Sequence, residues 1–248
     1  TYMADKYFRY YKLVPRAIQK IASSLAGRAL QPSYKKVSWD FKVRQFLKSY
    51  GLSPREAHYS WREIFTAVEK SKLMGEDILK ECRDYEPFSI FDGYFEKVKR
   101  ASFLNQCLFV DMKTWLVDDI LVKADRMSMA HSLELRSPFL DHRLVEYSMR
   151  LEDRAKIHGK QQKAILKKVM EGKVPNSIFE RPKAGFNSPT LNYGFRKLTS
   201  PDYPGQIRTD YVLDPKKEDI TYKSFTLGML DLWLDMFSNY NRSGNWST

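Results

Sequence analysis

The run DDILVKADRMSMAHSLELRSPFLDH, Asp118–His142, constrains this chain more than any other stretch. Leu116, Ile120, Ala124, Met127, Ala130 and Leu133 recur every three or four residues, which predicts one apolar stripe on a helix. Asp119 stands four residues before Lys123, the spacing of a weak surface pair. Pro138 then stops helix propagation, because proline disfavours the α region for the residue before it. Asp141 occupies a helix-cap position ahead of Leu144, Val145 and Met149. Between the two helices lie Glu134 and Arg136, in an otherwise apolar corner. Charges in such a corner either pair with each other, as a buried structural ion pair, or wall a pocket for a polar ligand. In the second case Arg136 suits bidentate contact with a carboxylate or phosphate, and Glu134 suits an amine or a proton transfer. Asp125 and Arg126 are placed to lock the helix to its neighbours.

The rest of the chain reads as helices joined by polar turns. Two helical pieces cover residues 3–26. Pro15 suits the first turn of the second, Ile18, Ile21 and Leu25 form its stripe, and Gly27 is placed as its C-terminal cap. Residues 37–50 are amphipathic. Ser53 and Glu56 make a capping-box pattern with Pro54 at the first helical position. Tyr59, Trp61, Ile64 and Phe65 form an aromatic cluster expected in the core. Further helical periods cover residues 72–83, 92–110, 161–170 and 222–237. Residues 200–221 are rich in Pro, Asp and Lys and read as a long surface loop. No stretch shows the clean alternation of a strand, so the expected class is mainly α.

Composition narrows the functions. A hydrophobic content of 43% excludes a disordered chain. No run of about 18 apolar residues exists, so no membrane span is expected. Cys82 and Cys107 have no CxxC spacing, which suggests neither a disulfide framework nor a zinc site. The N-terminal residues lack an apolar signal segment, and a cytoplasmic setting follows. The tail sequons at Asn241 and Asn245 are then chance matches. Histidines 58, 131, 142 and 158 show no metal spacing. Residues 1–55 hold twelve Lys or Arg against Asp5 and Asp40, so this quarter supplies +10 of the net +12. Such a block is either a solvated face or a surface for phosphates, nucleic acid or an acidic partner.

A further candidate sits in RPKAGFNSP, Arg181–Pro189. Lys183 lies between Pro182 and Gly185, in a bend braced by proline and hinged by glycine. An ammonium held there suits a phosphate oxygen and the charge that grows in phosphoryl or nucleotidyl transfer.

Both stretches resemble the asparagine synthetase family, in the C-terminal part of its synthetase domain. The first is similar to a D-D-x-L-x-K-x-D-R-x-S-M-A-x-S-x-E-x-R-x-P-F-L-D consensus at nearly every fixed position. A weaker likeness continues to the LWLDMF segment, Leu232–Phe237. The resemblance implies the helical C-terminal half of a PP-loop synthetase domain over residues 1–248, with most of the parallel sheet absent. It implies ATP-dependent conversion of aspartate and glutamine-derived ammonia to asparagine, AMP and pyrophosphate through an acyl-adenylate, with ATP and Mg²⁺ in the parent enzyme. Lys183 occupies the position of the family's loop lysine, and Glu134 and Arg136 border the acceptor site. The family's S-G-G-x-D-S phosphate loop and its cysteine-headed glutaminase half have no counterpart here. The expectation is therefore a fragment that binds no cofactor and does not turn over alone, and whose partner is the N-terminal half of the synthetase domain. A half-domain exposes apolar surface, which allows self-association into a homo-oligomer. Nucleic-acid binding or a protein-interaction module is the alternative from the basic block.

Overall fold

The computed structural model describes residues 2–29, 43, 46–47, 49–181, 223, 225–230, 232–234 and 236. It is mostly helical, as the periodicity predicts, with one two-stranded sheet among the described residues. No described helix is long and apolar enough to cross a membrane. The chain divides into two compact units, Thr1–Tyr10 with Glu86–Gly185 and Tyr11–Tyr85 with Phe186–Thr248.

The first unit is built around a helical rod. Helix α1 (Tyr2–Tyr11) opens the chain, and all of it but Tyr11 belongs here. Helix α6 (Phe88–Lys97) is followed by α7 (Phe103–Asp111), a π-helical segment (Met112–Leu121) and α8 (Val122–Met129). The junctions at Met112 and Val122 keep right-handed helical dihedrals, so α7, the π segment and α8 run on without a break. Phe95, Cys107 and Val110 form the buried centre, with Tyr2, Phe91, Tyr94 and Phe103 packed against it. The Phe95 and Phe103 rings lie 6.2 Å apart and nearly parallel, an offset-stacking distance. The Tyr2 hydroxyl donates to buried Asp111 at 2.6 Å, giving that carboxylate a partner away from water.

The π segment changes the expected stripe. At its entry the Thr114 hydroxyl donates to the Val110 carbonyl at 2.8 Å, competing with the backbone N–H that an α-helix sends to the same oxygen. Wider winding then rotates the side chains out of the 3.6-residue register. The predicted stripe is not a buried face. Met127 is 65% exposed, Leu133 is 63% exposed, and the helix ends before Leu133 is reached.

Beyond the rod, a 3₁₀ turn (Pro138–Leu140) leads into α9 (His142–Arg150). Asp141 caps α9 as expected, accepting from the Arg143 N–H at 2.9 Å. Helix α10 (Asp153–Lys156) precedes a two-residue antiparallel hairpin, β1 (Ile157–His158) with β2 (Gln161–Gln162), in which Ile157 faces Gln162 and His158 faces Gln161. This corrects the expectation of no strand and of a helix from residue 161. Gly159 at φ +59° turns the hairpin, and Lys163 at φ +57° delays the helix, so α11 spans Ala164–Met170. A single turn, α12 (Ser177–Glu180), closes the described part of this unit. Two bonds tie α10 to the start of α7: Ser102 Oγ donates to Asp153 at 2.6 Å, and Lys156 donates to the Asn105 side-chain oxygen. Burial pushes the Lys156 ammonium below its ordinary pKa, against the pull of Asp153.

The second unit contains α2 (Arg16–Ala29), α3 (Pro54–Ser60), α4 (Ala67–Leu73), α5 (Glu76–Glu81) and the helical positions between 223 and 236. The Ser53–Glu56 capping box is present, and a second one, Thr66–Glu69, starts α4. Phe65, Leu73 and Leu227 form the core, with Leu230 and Leu234 against it. Trp61 stacks on Phe46 at 5.8 Å, as a core reading of the aromatic cluster requires, although Ile64 is exposed. The α2 stripe differs from expectation, since Ile18, Ile21 and Leu25 are all exposed. Helix α2 also runs through Gly27 to Ala29, so Gly27 is not its cap.

Candidate functional site

The corner between α8 and α9 is shaped by its backbone. At the end of α8 the Ser132 N–H donates to the Met129 carbonyl at 2.9 Å, and the Leu133 N–H reaches back to the Ser128 carbonyl at 3.0 Å. This pair of bonds is a Schellman cap, which needs one left-handed residue, and Ser132 supplies it at φ +55°. Residues 133–137 then belong to no regular element, with Ser137 in the extended region, until Pro138 sets the 3₁₀ turn.

Glu134 and Arg136 are carried on that piece and face each other. The Arg136 guanidinium meets the Glu134 carboxylate at 2.5 Å, with side chains 82% and 69% exposed. The two charges are brought together, but the pair is a surface pair, which corrects the alternative of a buried structural one. Around it Met129, Leu133, Leu135 and Phe139 also stand in solvent. The corner is therefore apolar in composition, as expected, and open in structure. An exposed pair of this kind contributes little to stability and can exchange its partner for a carboxylate or phosphate at small cost.

Two of the neighbouring acids are occupied. Asp119 accepts from Trp115 Nε1 at 2.9 Å and pairs with Lys123 at 2.8 Å, the expected spacing. Asp141 is gripped by the Arg143 guanidinium at 2.8 and 3.0 Å, which holds its carboxyl below the usual range and raises Arg143. Asp125 and Arg126 are exposed and make no side-chain hydrogen bond or ion pair among the described residues, so no helix lock is seen there. His131, His142 and His158 are exposed, and His58 is buried. Lys183 lies outside the described residues, as do the rest of its loop after Arg181 and the surface loop read at 200–221.

Two features escaped the sequence reading. One is Ser132, since serine gives no residue-type signal for a left-handed cap. The other is an open cleft of about 670 Å³ lined by α10, the hairpin, α11 and α12. Arg154, His158, Lys167 and Lys168 face it with Glu171, over a floor that includes Ile165 and Phe179. The Lys167 ammonium also donates to the Phe179 carbonyl at 3.4 Å. Helix α12, which borders this cleft, ends three residues before Lys183.

Comparison with known proteins bears on this corner. The family model described as asparagine synthase matches residues 3–246. A Bacillus subtilis (strain 168) protein named glutamine-hydrolysing asparagine synthetase 1 is 30% identical over 187 residues, 67% of this chain and 29% of that protein. Glutamine-hydrolysing asparagine synthetase 3 of the same organism is 42% identical over 129 residues, 51% of this chain and 19% of that protein. The Homo sapiens glutamine-hydrolysing asparagine synthetase is 39% identical over 70 residues, 27% of this chain and 12% of that protein. The chain thus spans less than a third of the length of these curated relatives. No solved structure matches it significantly.

Proposed function

The chain belongs to the asparagine synthase family, and from that premise we propose that it is the helical C-terminal portion of a PP-loop synthetase domain that forms asparagine from aspartate. The reaction we assign is amide synthesis driven by ATP. The side-chain carboxylate of aspartate attacks the α-phosphorus, pyrophosphate leaves, and ammonia from glutamine displaces AMP from the acyl-adenylate. The observation that carries this reading is the Glu134–Arg136 pair, presented on a solvent-facing corner of the signature run and, among the described residues, committed to nothing but itself.

In this reading Arg136 gives up Glu134 to hold a carboxylate of the acceptor, and Glu134 takes the acceptor's amine. Lys183 supplies the loop cation beside the departing pyrophosphate. The cationic cleft at the root of that loop supports a phosphate-handling role for this end of the chain. Mg²⁺ would travel with the nucleotide phosphates. Asp119 and Asp141 already pair with Lys123 and Arg143, and we assign no step to a metal here. The exposed Leu133, Leu135 and Phe139 suit a covering partner, which we assign to the nucleotide-binding half of a synthetase domain in a cytoplasmic enzyme. Without such a partner we expect this chain to be inactive.

The test is aspartate-dependent ATP–pyrophosphate exchange in the complete gene product. Lys183→Ala is expected to cut exchange by about two orders of magnitude or more with the fold retained, and Glu134→Gln to raise the aspartate KM at least about tenfold. Near-normal exchange in both variants would sink the assignment.

A further inference from the structure

We propose that Ser132 is a positioning residue for the acceptor site: its left-handed backbone sets the line along which Glu134 and Arg136 leave α8. The proposal rests on the reading of that corner as the acceptor site. Among the described residues, Glu134, Leu135 and Arg136 make no backbone–backbone hydrogen bond. Among the described residues, the irregular piece that carries both charges is therefore held by the backbone at its two ends. Pro138 fixes one end by starting the 3₁₀ turn, where the Leu140 N–H donates to the Ser137 carbonyl at 3.0 Å. The Schellman cap fixes the other, and its geometry exists only while residue 132 stays left-handed.

Glycine is the usual occupant of such a position because it adopts positive φ without steric cost. Serine does so against the ordinary preference of an L-residue. Its side chain returns nothing, since Ser132 is exposed and its hydroxyl makes no hydrogen bond among the described residues. The strain sits two residues before Glu134 and four before Arg136. Strain held next to a functional pair is consistent with a backbone selected for direction over local ease. Serine leaves the corner fewer alternative conformations than glycine would, so the cap holds one exit angle. A change of that angle moves both charges together, because no backbone hydrogen bond among the described residues holds the chain at 134–136.

The experiment compares Ser132→Asn, Ser132→Val and Ser132→Ala in the complete gene product. Asparagine tolerates the left-handed region; valine, with its branched Cβ, does not. We expect Asn to keep the aspartate KM within about twofold of the parent. Val should raise it about tenfold while the ATP KM stays within about twofold. Thermal melting checks that each variant is folded at the assay temperature. If the Val variant does not fold, Ser132→Thr, also branched at Cβ, carries the test, with an aspartate KM clearly above that of Asn and an unchanged ATP KM, while Ala, unbranched like serine, is expected to match the parent. A purely structural role would move both KM values together, or neither. Equal aspartate KM values across folded Ser132 variants, with Glu134→Gln impaired in the same assay, overturn this inference alone. An unaffected Glu134→Gln variant overturns the acceptor site as well.

Discussion

Two ion pairs of equal length stand in opposite surroundings. Arg136 meets Glu134 at 2.5 Å with side chains 82% and 69% exposed, and the partners are two residues apart in the chain. Lys223 meets Glu69 at 2.5 Å with side chains 10% and 23% exposed, and the partners are 154 residues apart. Distance alone does not tell what a pair does. The second pair joins the helical positions near the C-terminus to the start of α4, and the Lys223 ammonium also lies 5.3 Å from the Phe65 ring. Glu69 is held from its other side too, by the Thr66 N–H at 2.8 Å and the Thr66 hydroxyl at 3.0 Å. It is a carboxylate whose partners all serve the fold. Among the described residues the corner pair has no such ring of donors, and both of its charges face solvent.

The sharpest way to break that contrast is to remove Lys223. Lys223→Met leaves Glu69 largely out of water with only its Thr66 donors, and the unfolding free energy is expected to fall by about 2 kcal/mol. Urea unfolding followed by circular dichroism measures it. A loss below about 0.5 kcal/mol would put this pair in the class of ordinary surface pairs.

Acid gives the next largest effect. Burial raises the Glu69 carboxyl, but the Lys223 ammonium and the Thr66 donors outweigh it, and the net shift is downward from the ordinary 4.5. A carboxyl lowered in the folded state binds fewer protons there than when unfolded. Its contribution is fully present above pH 4.5 and is lost as pH falls from 4.5 through the lower folded-state value. Glu69→Gln should therefore cost stability at pH 7 and cost progressively less as the solution is taken below pH 4.5. A penalty that stays constant through the acid range would show that Glu69 acts by packing and not by charge.

The contrast also separates what the residues alone disclose from what they do not. Local signals were legible. Ser53 and Glu56 form their capping box, Asp141 caps α9, and Asp119 reaches Lys123, whereas Pro138 does not stop a helix: α8 ends at Met129 and Pro138 opens a 3₁₀ turn. Those that held depend on neighbours within four residues, so spacing is enough. Periodicity, by contrast, tells which side chains share a face and not whether anything covers it. Ile18, Ile21 and Leu25 share a face as read, yet all three are exposed. The π segment and the hairpin turn on backbone choices at Thr114, Gly159 and Lys163 that residue type announces weakly or not at all. At the candidate site the same division holds. The pairing of Glu134 with Arg136 was one of the two readings their place between the helices left open, whereas the left-handed Ser132 and the exposure of the pair were not legible. The Glu69–Lys223 clamp had no sequence signal, because nothing in the chain relates positions 154 residues apart.

The smallest expected effect is the most telling. Arg136→Met removes a guanidinium that is 82% exposed and pairs only with Glu134 among the described residues. The partner it leaves behind is 69% exposed, so water replaces the lost contact and no charge is stranded. The unfolding free energy of the chain is expected to change by less than about 0.5 kcal/mol, within the range of ordinary surface substitutions. The cap at Ser132 and the turn at Pro138 do not involve this side chain, so the corner keeps its backbone without it. In the complete gene product the same substitution should raise the aspartate KM at least about tenfold, because a methionine offers no donors to a carboxylate. Stability and function then separate at one residue, the opposite of what Lys223→Met does in the other unit. An unfolding loss above about 1.5 kcal/mol for Arg136→Met would mean that the exposed pair is holding the corner together, and the difference between the two pairs would be one of degree.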